Sequence, residues 1–153
     1  MPTRALNDLS SDFRPLVFQV LARLVERGGA WQIICCLRTE AEHAVNLASG
    51  ASRATRSKHP PRSLRGFAGM TIDAAKSDAI DLCPFSQWLE FGEDKLQWSA
   101  DDPQFGHLGE IAESLALRWG GRWAKPHDPG HIELLFPGEH YQDIPFTSAA
   151  FTD

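Results

Sequence analysis

The sequence predicts an α+β fold: a small, mainly antiparallel sheet with helices packed on one side and a cleft on the other. Three observations carry this. Phe13, Leu16, Val17, Val20, Leu21, Leu24 and Val25 recur at three- and four-residue spacing, the mark of an amphipathic helix. Residues 30–37 form one apolar, β-branched and aromatic run that reads as a buried strand. Two later segments, 70–75 and 131–136, place apolar residues on one face and polar residues on the other, as half-buried strands do.

The elements follow in order. Ser10 or Ser11 caps a first helix over 12–27, with Pro15 in its first turn, where a missing N–H costs little. Gly28 and Gly29 end it, and the strand 30–37 follows. Thr39 caps a helix to about residue 47, closed by Ser49 and Gly50. Residues 51–69, rich in Ser, Arg, Pro and Gly, read as a long loop before the strand 70–75. The stretch 76–102 is mixed, with a turn of helix near 85–91. A helix over 104–117 gathers Phe105, Leu108, Ile111, Ala112, Leu115 and Leu117 near one face. Trp119-Gly120-Gly121-Arg122-Trp123 is a turn, 131–136 a strand closed by Pro137-Gly138, and the tail beyond 139 is loose.

The chain has 153 residues, 42% hydrophobic and 23% charged, which suits one domain over 1–153. Disorder, collagen and coiled coil are excluded. No apolar run reaches the roughly 18 residues of a membrane span. Residues 1–11 lack the apolar core of an export signal, so synthesis in the cytoplasm without a signal peptide is expected. A net charge of -5 argues against nucleic acid as a partner. The balance is uneven, since Arg53, Arg56, Lys58, Arg62 and Arg65 share a stretch with no acid. That stretch is either a solvated loop or an attractor of anionic substrate. The three cysteines read as small buried hydrophobes, with Cys35 and Cys36 on opposite faces of their strand.

The chemistry gathers where the alternating strands meet. Ile132, Leu134 and Phe136 share one face of the last strand, with His131 and Glu133 opposite. In the strand 70–75, Asp73 lies opposite Met70, Ile72 and Ala74. If the two strands share a sheet, Asp73 and His131 converge, and His59 stands on the loop before them. Two imidazoles and a carboxylate suit Zn²⁺ and leave a fourth position for water. Asp128 sits three residues before His131 on the turn Asp128-Pro129-Gly130, beside such a metal without having to bind it. A carboxylate there can take a proton from water and pass it to a leaving amine. Glu133 is either a partner that orients a ligand histidine or a solvated glutamate. His43, His107, His127 and His140 are expected to be structural or solvent-facing.

These residues resemble the LAS-type zinc peptidases, which include bacterial D-Ala-D-Ala dipeptidases and carboxypeptidases and phage L-alanyl-D-glutamate endopeptidases. Ser57-Lys58-His59, the run from Ala68 to Asp73, and Asp128-Pro129-Gly130-His131-Ile132-Glu133 are similar to that family's Ser-x-His loop, strand aspartate and late Asp/Glu-x-x-His. Leu37-Arg38-Thr39, Gly50-Ala51-Ser52 and the Trp-Gly-Gly-x-Trp run from Trp119 to Trp123 extend the resemblance. It implies that His59, Asp73 and His131 bind zinc and that Asp128 is the general base and acid. It implies that Arg38 steadies the developing oxyanion and that Ser57 holds the substrate backbone. It covers a catalytic core of roughly residues 5–136 and implies a peptidoglycan peptidase acting on stem peptides at the cell wall or periplasm, and a monomer is expected. The tryptophan-glycine run favours an endolysin-like L-alanyl-D-glutamate endopeptidase. The alternatives are a D-Ala-D-Ala carboxypeptidase, an amidase of another small amide, or a non-catalytic zinc or cell-wall binding module.

Overall fold

The computed structural model describes residues 2–49, 58–59, 75–86, 96–123, 127–136 and 139. Among the described residues three α-helices, α1 (Arg14–Glu26), α2 (Glu40–Ser49) and α3 (Pro103–Ser114), accompany four strands. The strands are β1 (Trp31–Cys35), β2 (Ala79–Pro84), β3 (Arg118–Trp119) and β4 (His131–Glu133). They form one sheet in the order β1-β2-β4-β3, and every neighbouring pair is antiparallel. The expected α+β architecture is borne out.

Helix α1 buries Val17, Val20 and Leu24, with Phe13 just before it, at spacings of three and four that keep them on one side. Val25, expected on the same stripe, falls off its edge and is 69% exposed. Helix α2 begins with a reciprocal cap. The Thr39 hydroxyl accepts from Glu42 N at 3.1 Å and donates to the Glu42 carboxylate at 3.1 Å. Asp102 caps α3 through Gln104 N at 2.9 Å. Helix α3 stops at Ser114 rather than 117 because Ala116 takes a left-handed φ of 59°, and Leu117 N turns back to Ala112 O at 2.9 Å. A non-glycine residue in that conformation carries no sequence signal.

Register decides what each face of the sheet carries. Ile80 pairs with Ile132, Ile132 with Trp119, and Ile33 with Leu82, so these side chains share one face. That face packs against α1 and α3 in a core that includes Phe13, Val20, Leu24, Leu108 and Ile111. The other face carries Asp81 opposite His131, Ala79 opposite Glu133, and Arg118 opposite Glu133. A register shift between Ile33 and Cys35 brings Cys35 opposite Asp81. Such bulges re-aim side chains, and this one turns Cys35 to the polar face while Cys36 joins the core. All three cysteines are buried and free.

The strand expected over 70–75 mostly lies outside the described residues, and Ala75 is in a turn. The strand that pairs with β4 is β2, inside the stretch 76–102, which shows no single periodicity in the sequence.

Candidate metal centre

Asp81 sits between two imidazoles. Its Oδ1 is 3.1 Å from His59 Nε2 and 2.9 Å from His131 Nδ1, and the two rings meet edge to face at 5.1 Å. The remaining nitrogen of each ring is engaged elsewhere. His59 Nδ1 donates to Cys36 O at 3.1 Å, with Cys35 Sγ at 3.4 Å, and His131 Nε2 donates to Glu133 Oε1 at 2.8 Å. In a neutral imidazole this arrangement puts the proton on the outer nitrogen and aims the lone pair at Asp81. It is how metal-binding histidines are generally held. Tetrahedral zinc with bonds near 2.0–2.1 Å wants donors roughly 3.3 Å apart, close to the 3.1 and 2.9 Å at which Asp81 meets each imidazole. The donor atoms gather as two groups that share Asp81, one with Cys35 and His59 and one with Asp128 and His131, so a single ion held by both histidines requires the two imidazoles to draw together. In chemistry, two imidazoles and a carboxylate suit zinc, and Asp81 is common to both groups.

Each candidate donor arrives from a different part of the chain. His131 opens β4 and Asp81 faces it across the ladder. His59 is delivered by a dipeptide pinned through its backbone: Arg38 N donates to His59 O at 3.1 Å, and Asp78 N and Ser77 Oγ each donate to Lys58 O at 3.0 Å. Asp128 lies close enough to Asp81 and His131 to share an ion with them. Its turn is seated by close approach of backbones. Asp128 N donates to Gly120 O at 3.1 Å and Leu82 N to Gly130 O at 2.9 Å. A Cβ on Gly120 would collide with Asp128 O, and one on Gly130 with Leu82 O, so both positions require glycine. Trp119 anchors the neighbouring segment: it packs on Gly109 and Gly121 and donates from Nε1 to Pro129 O at 2.7 Å.

Electrostatics follow from this crowding. Burial works against the charged form of Asp81, but His59 and His131 outweigh it and hold the carboxyl well below the ordinary range. Burial also disfavours imidazolium, yet the Asp81 charge and hydrogen bond raise His59 well above its usual value. In His131 the hydrogen bonds to Asp81 and Glu133 overcome burial and lift the pKa to about 9. Asp128 moves the other way from Asp81. Burial and then the Asp81 charge raise its carboxyl, and His131, His59 and Arg38 only partly oppose them. Two neighbouring carboxyls driven apart in this way suit one to bind a cation and the other to carry a proton.

The structure brings His59, His131 and Asp128 together as the sequence suggested. Arg38 is adjacent, with its guanidinium 4.0 Å from Cys35 Sγ and its charge felt at Asp128. Ser57 and Asp73 lie outside the described residues. The sequence places the third donor at Asp73, outside the described residues; among the described residues the carboxylate that meets both imidazoles is Asp81, which no sequence motif singles out. Its signal is one charged residue inside the apolar run Ala79-Ile80-Asp81-Leu82-Cys83, on a strand that has to bury both faces. Glu133 is 3% exposed and bonded to His131, so it orients a histidine rather than facing solvent. Lys58, read as part of a basic loop, is 3% exposed and ion-paired with Glu133 at 2.7 Å. His127 and His107 are solvent-facing, as expected, while His43 is buried on α2.

Comparison with known proteins bears out the resemblance. Residues 75–134, which carry Asp81, Asp128, His131 and Glu133, match the family model described as D-alanyl-D-alanine carboxypeptidase. The fold is similar to the crystal structure of the Serratia marcescens L-Ala D-Glu endopeptidase ChiX, with a TM-score of 0.59 and 18% identity over 89% of this chain and 91% of that one. No curated protein sequence matches. The family model spans residues 75–134 of the 153, and at 18% identity the structural likeness is one of fold. Among the described residues, no helix is long and apolar enough to cross a membrane.

Proposed function

We propose that this chain is a zinc-dependent peptidase that hydrolyses amide bonds of peptidoglycan stem peptides, acting at the cell wall. Its zinc ligands are His59, Asp81 and His131. The observation that carries the reading is the Asp81 oxygen held between two imidazoles whose outer nitrogens are already tied to Cys36 O and Glu133, with Asp128 alongside. When bound, zinc supplies a Lewis acid that acidifies water and polarises the scissile carbonyl.

The chain's own groups do the rest. Asp128, raised by burial and by Asp81, accepts the proton of the attacking water and returns it to the departing amine. Arg38 provides a fixed cation for the oxyanion, a charge that exists only in the transition state. Ser57 is proposed to hold the substrate backbone. The site cysteine, Cys35, is 3% exposed, which suits a wall of the site rather than a nucleophile.

The bond proposed is L-alanyl-D-glutamate, supported by the fold shared with an endopeptidase over most of both chains and by the Trp-Gly-Gly-x-Trp run. The family model's description favours a second reading, removal of terminal D-alanine. Mass spectrometry of peptidoglycan digested with the zinc-loaded protein separates them. Stem peptides that begin at D-glutamate mark the endopeptidase, and free D-alanine marks the carboxypeptidase. Asp128→Ala should keep its zinc and lose about 10²–10⁴-fold in rate. A wall left intact by zinc-loaded protein would instead favour a binding module.

A further inference from the structure

We propose that Glu133, Lys58 and Arg118 form a buried positioning device for His131, and that the Lys58-His59 dipeptide thereby holds both zinc imidazoles. The inference rests on the zinc reading of His59, Asp81 and His131. Glu133 follows His131 by two residues and shares its face of β4. Both of its oxygens are committed. Oε1 accepts from His131 Nε2 at 2.8 Å, and Oε2 meets Lys58 Nζ at 2.7 Å and Arg118 Nη1 at 3.1 Å. A carboxylate gripped at both oxygens cannot swing, so the imidazole it accepts from is fixed in plane and in tautomer.

The grip on Glu133 is itself fixed. Lys58 Nζ also donates to Leu134 O at 2.6 Å, pairs with Glu139, and lies 4.2 Å over the Phe136 ring. Arg118 stands opposite Glu133 in the β3–β4 ladder, and its Nη2 is 3.4 Å from Glu139 Oε2. Two cations and two carboxylates thus meet in one place, three of the four nearly without solvent contact. Burying such a network is a poor route to stability, because apolar residues of similar volume avoid the desolvation cost. Its geometry is a good route to orientation, since both cations grip Glu133, whose other oxygen meets one outer nitrogen of one proposed ligand.

The adjacency of Lys58 and His59 adds a coupling. His59 reaches the metal position directly, while Lys58, the residue before it, reaches His131 through Glu133. A displacement of this one backbone segment moves both donors.

Zinc affinity, measured by competition with a chromophoric chelator, tests the device without reference to turnover. Lys58→Met keeps the packed stem and Glu133→Gln keeps the shape. Each should weaken zinc binding by about 10–100-fold. The double variant should bind about as weakly as Glu133→Gln alone, because both act through one contact. The ¹⁵N spectrum of the zinc-loaded protein should show the His131 proton on Nε2. Where Lys58→Met fails to fold, Glu139→Gln loosens Lys58 at the rim and should cost severalfold in affinity. Unchanged affinity in these variants, additive losses, or a proton on Nδ1 would overturn the device. A wild-type chain that takes up no zinc would overturn the metal site itself, which is a separate result.

Discussion

Asp81→Asn separates the two candidates for the third zinc donor. The substitution keeps the shape and an oxygen but removes the charge that lies 3.1 Å from His59 Nε2 and 2.9 Å from His131 Nδ1. Loss of a partner outside a metal's ligands costs about 10–100-fold in affinity, so loss of a charged ligand should exceed about 100-fold, or about 2.7 kcal/mol. A second effect runs the other way. His131 is held at about 9 by Asp81 and Glu133 against the pull of burial, so zinc binding near neutral pH must first displace its proton. Wild-type apparent affinity should therefore climb by about tenfold per pH unit for this proton until pH reaches the folded pKa. In Asp81→Asn the imidazole gives up its proton more readily, and the climb ends at lower pH. The gap between the two proteins should thus be small at pH 6.5 and widest near pH 9. Chelator competition at several pH values, with Asp73→Asn in parallel, measures this. Wild-type zinc affinity in Asp81→Asn, together with its loss in Asp73→Asn, would refute the assignment.

Three further outcomes are expected. Arg38→Ala should leave zinc affinity within a few-fold and lower kcat by about 10²–10³-fold, read from steady-state turnover with KM fitted separately; an unchanged kcat would remove Arg38 from the chemistry. Gly120→Ala places a methyl against the backbone oxygen of Asp128, so the turn must shift. About 1–3 kcal/mol of stability should be lost by thermal or denaturant unfolding, and turnover should fall further than stability explains. The metal-free protein should be most stable between the ordinary values of Glu133 and His131, 4.5 and 6.5. Lys58, His131 and Arg118 outweigh burial and hold Glu133 below its ordinary value, so its contribution is present above 4.5 and fades as pH falls. His131 is raised, so its contribution is complete below 6.5 and fades as pH rises through about 9. Thermal midpoints across pH with a chelator present report this window. Saturating zinc should abolish the alkaline loss, because the metal needs the neutral ring.

Local pattern alone determined much of this protein. The stripe on α1, the cap at Thr39 and the alternation around His131 are properties of neighbours in sequence, and each produced its element within a few residues. The same is true of His131, Glu133 and Asp128, whose relation is set by a strand two residues long in period and a turn that Pro129 and Gly130 enforce. The end of α3 was not legible, because Ala116 adopts a left-handed conformation that only its surroundings select. Tertiary structure also decided which carboxylate joins the histidines. Asp81 is defined by its partners across the sheet, His131 on one side and Cys35 on the other, and register between strands is set by packing of the opposite face. Tertiary structure likewise turned Lys58 from a surface cation into a buried one. Its charge is tolerated only because Glu133 and Glu139, more than seventy positions later in the chain, are folded against it.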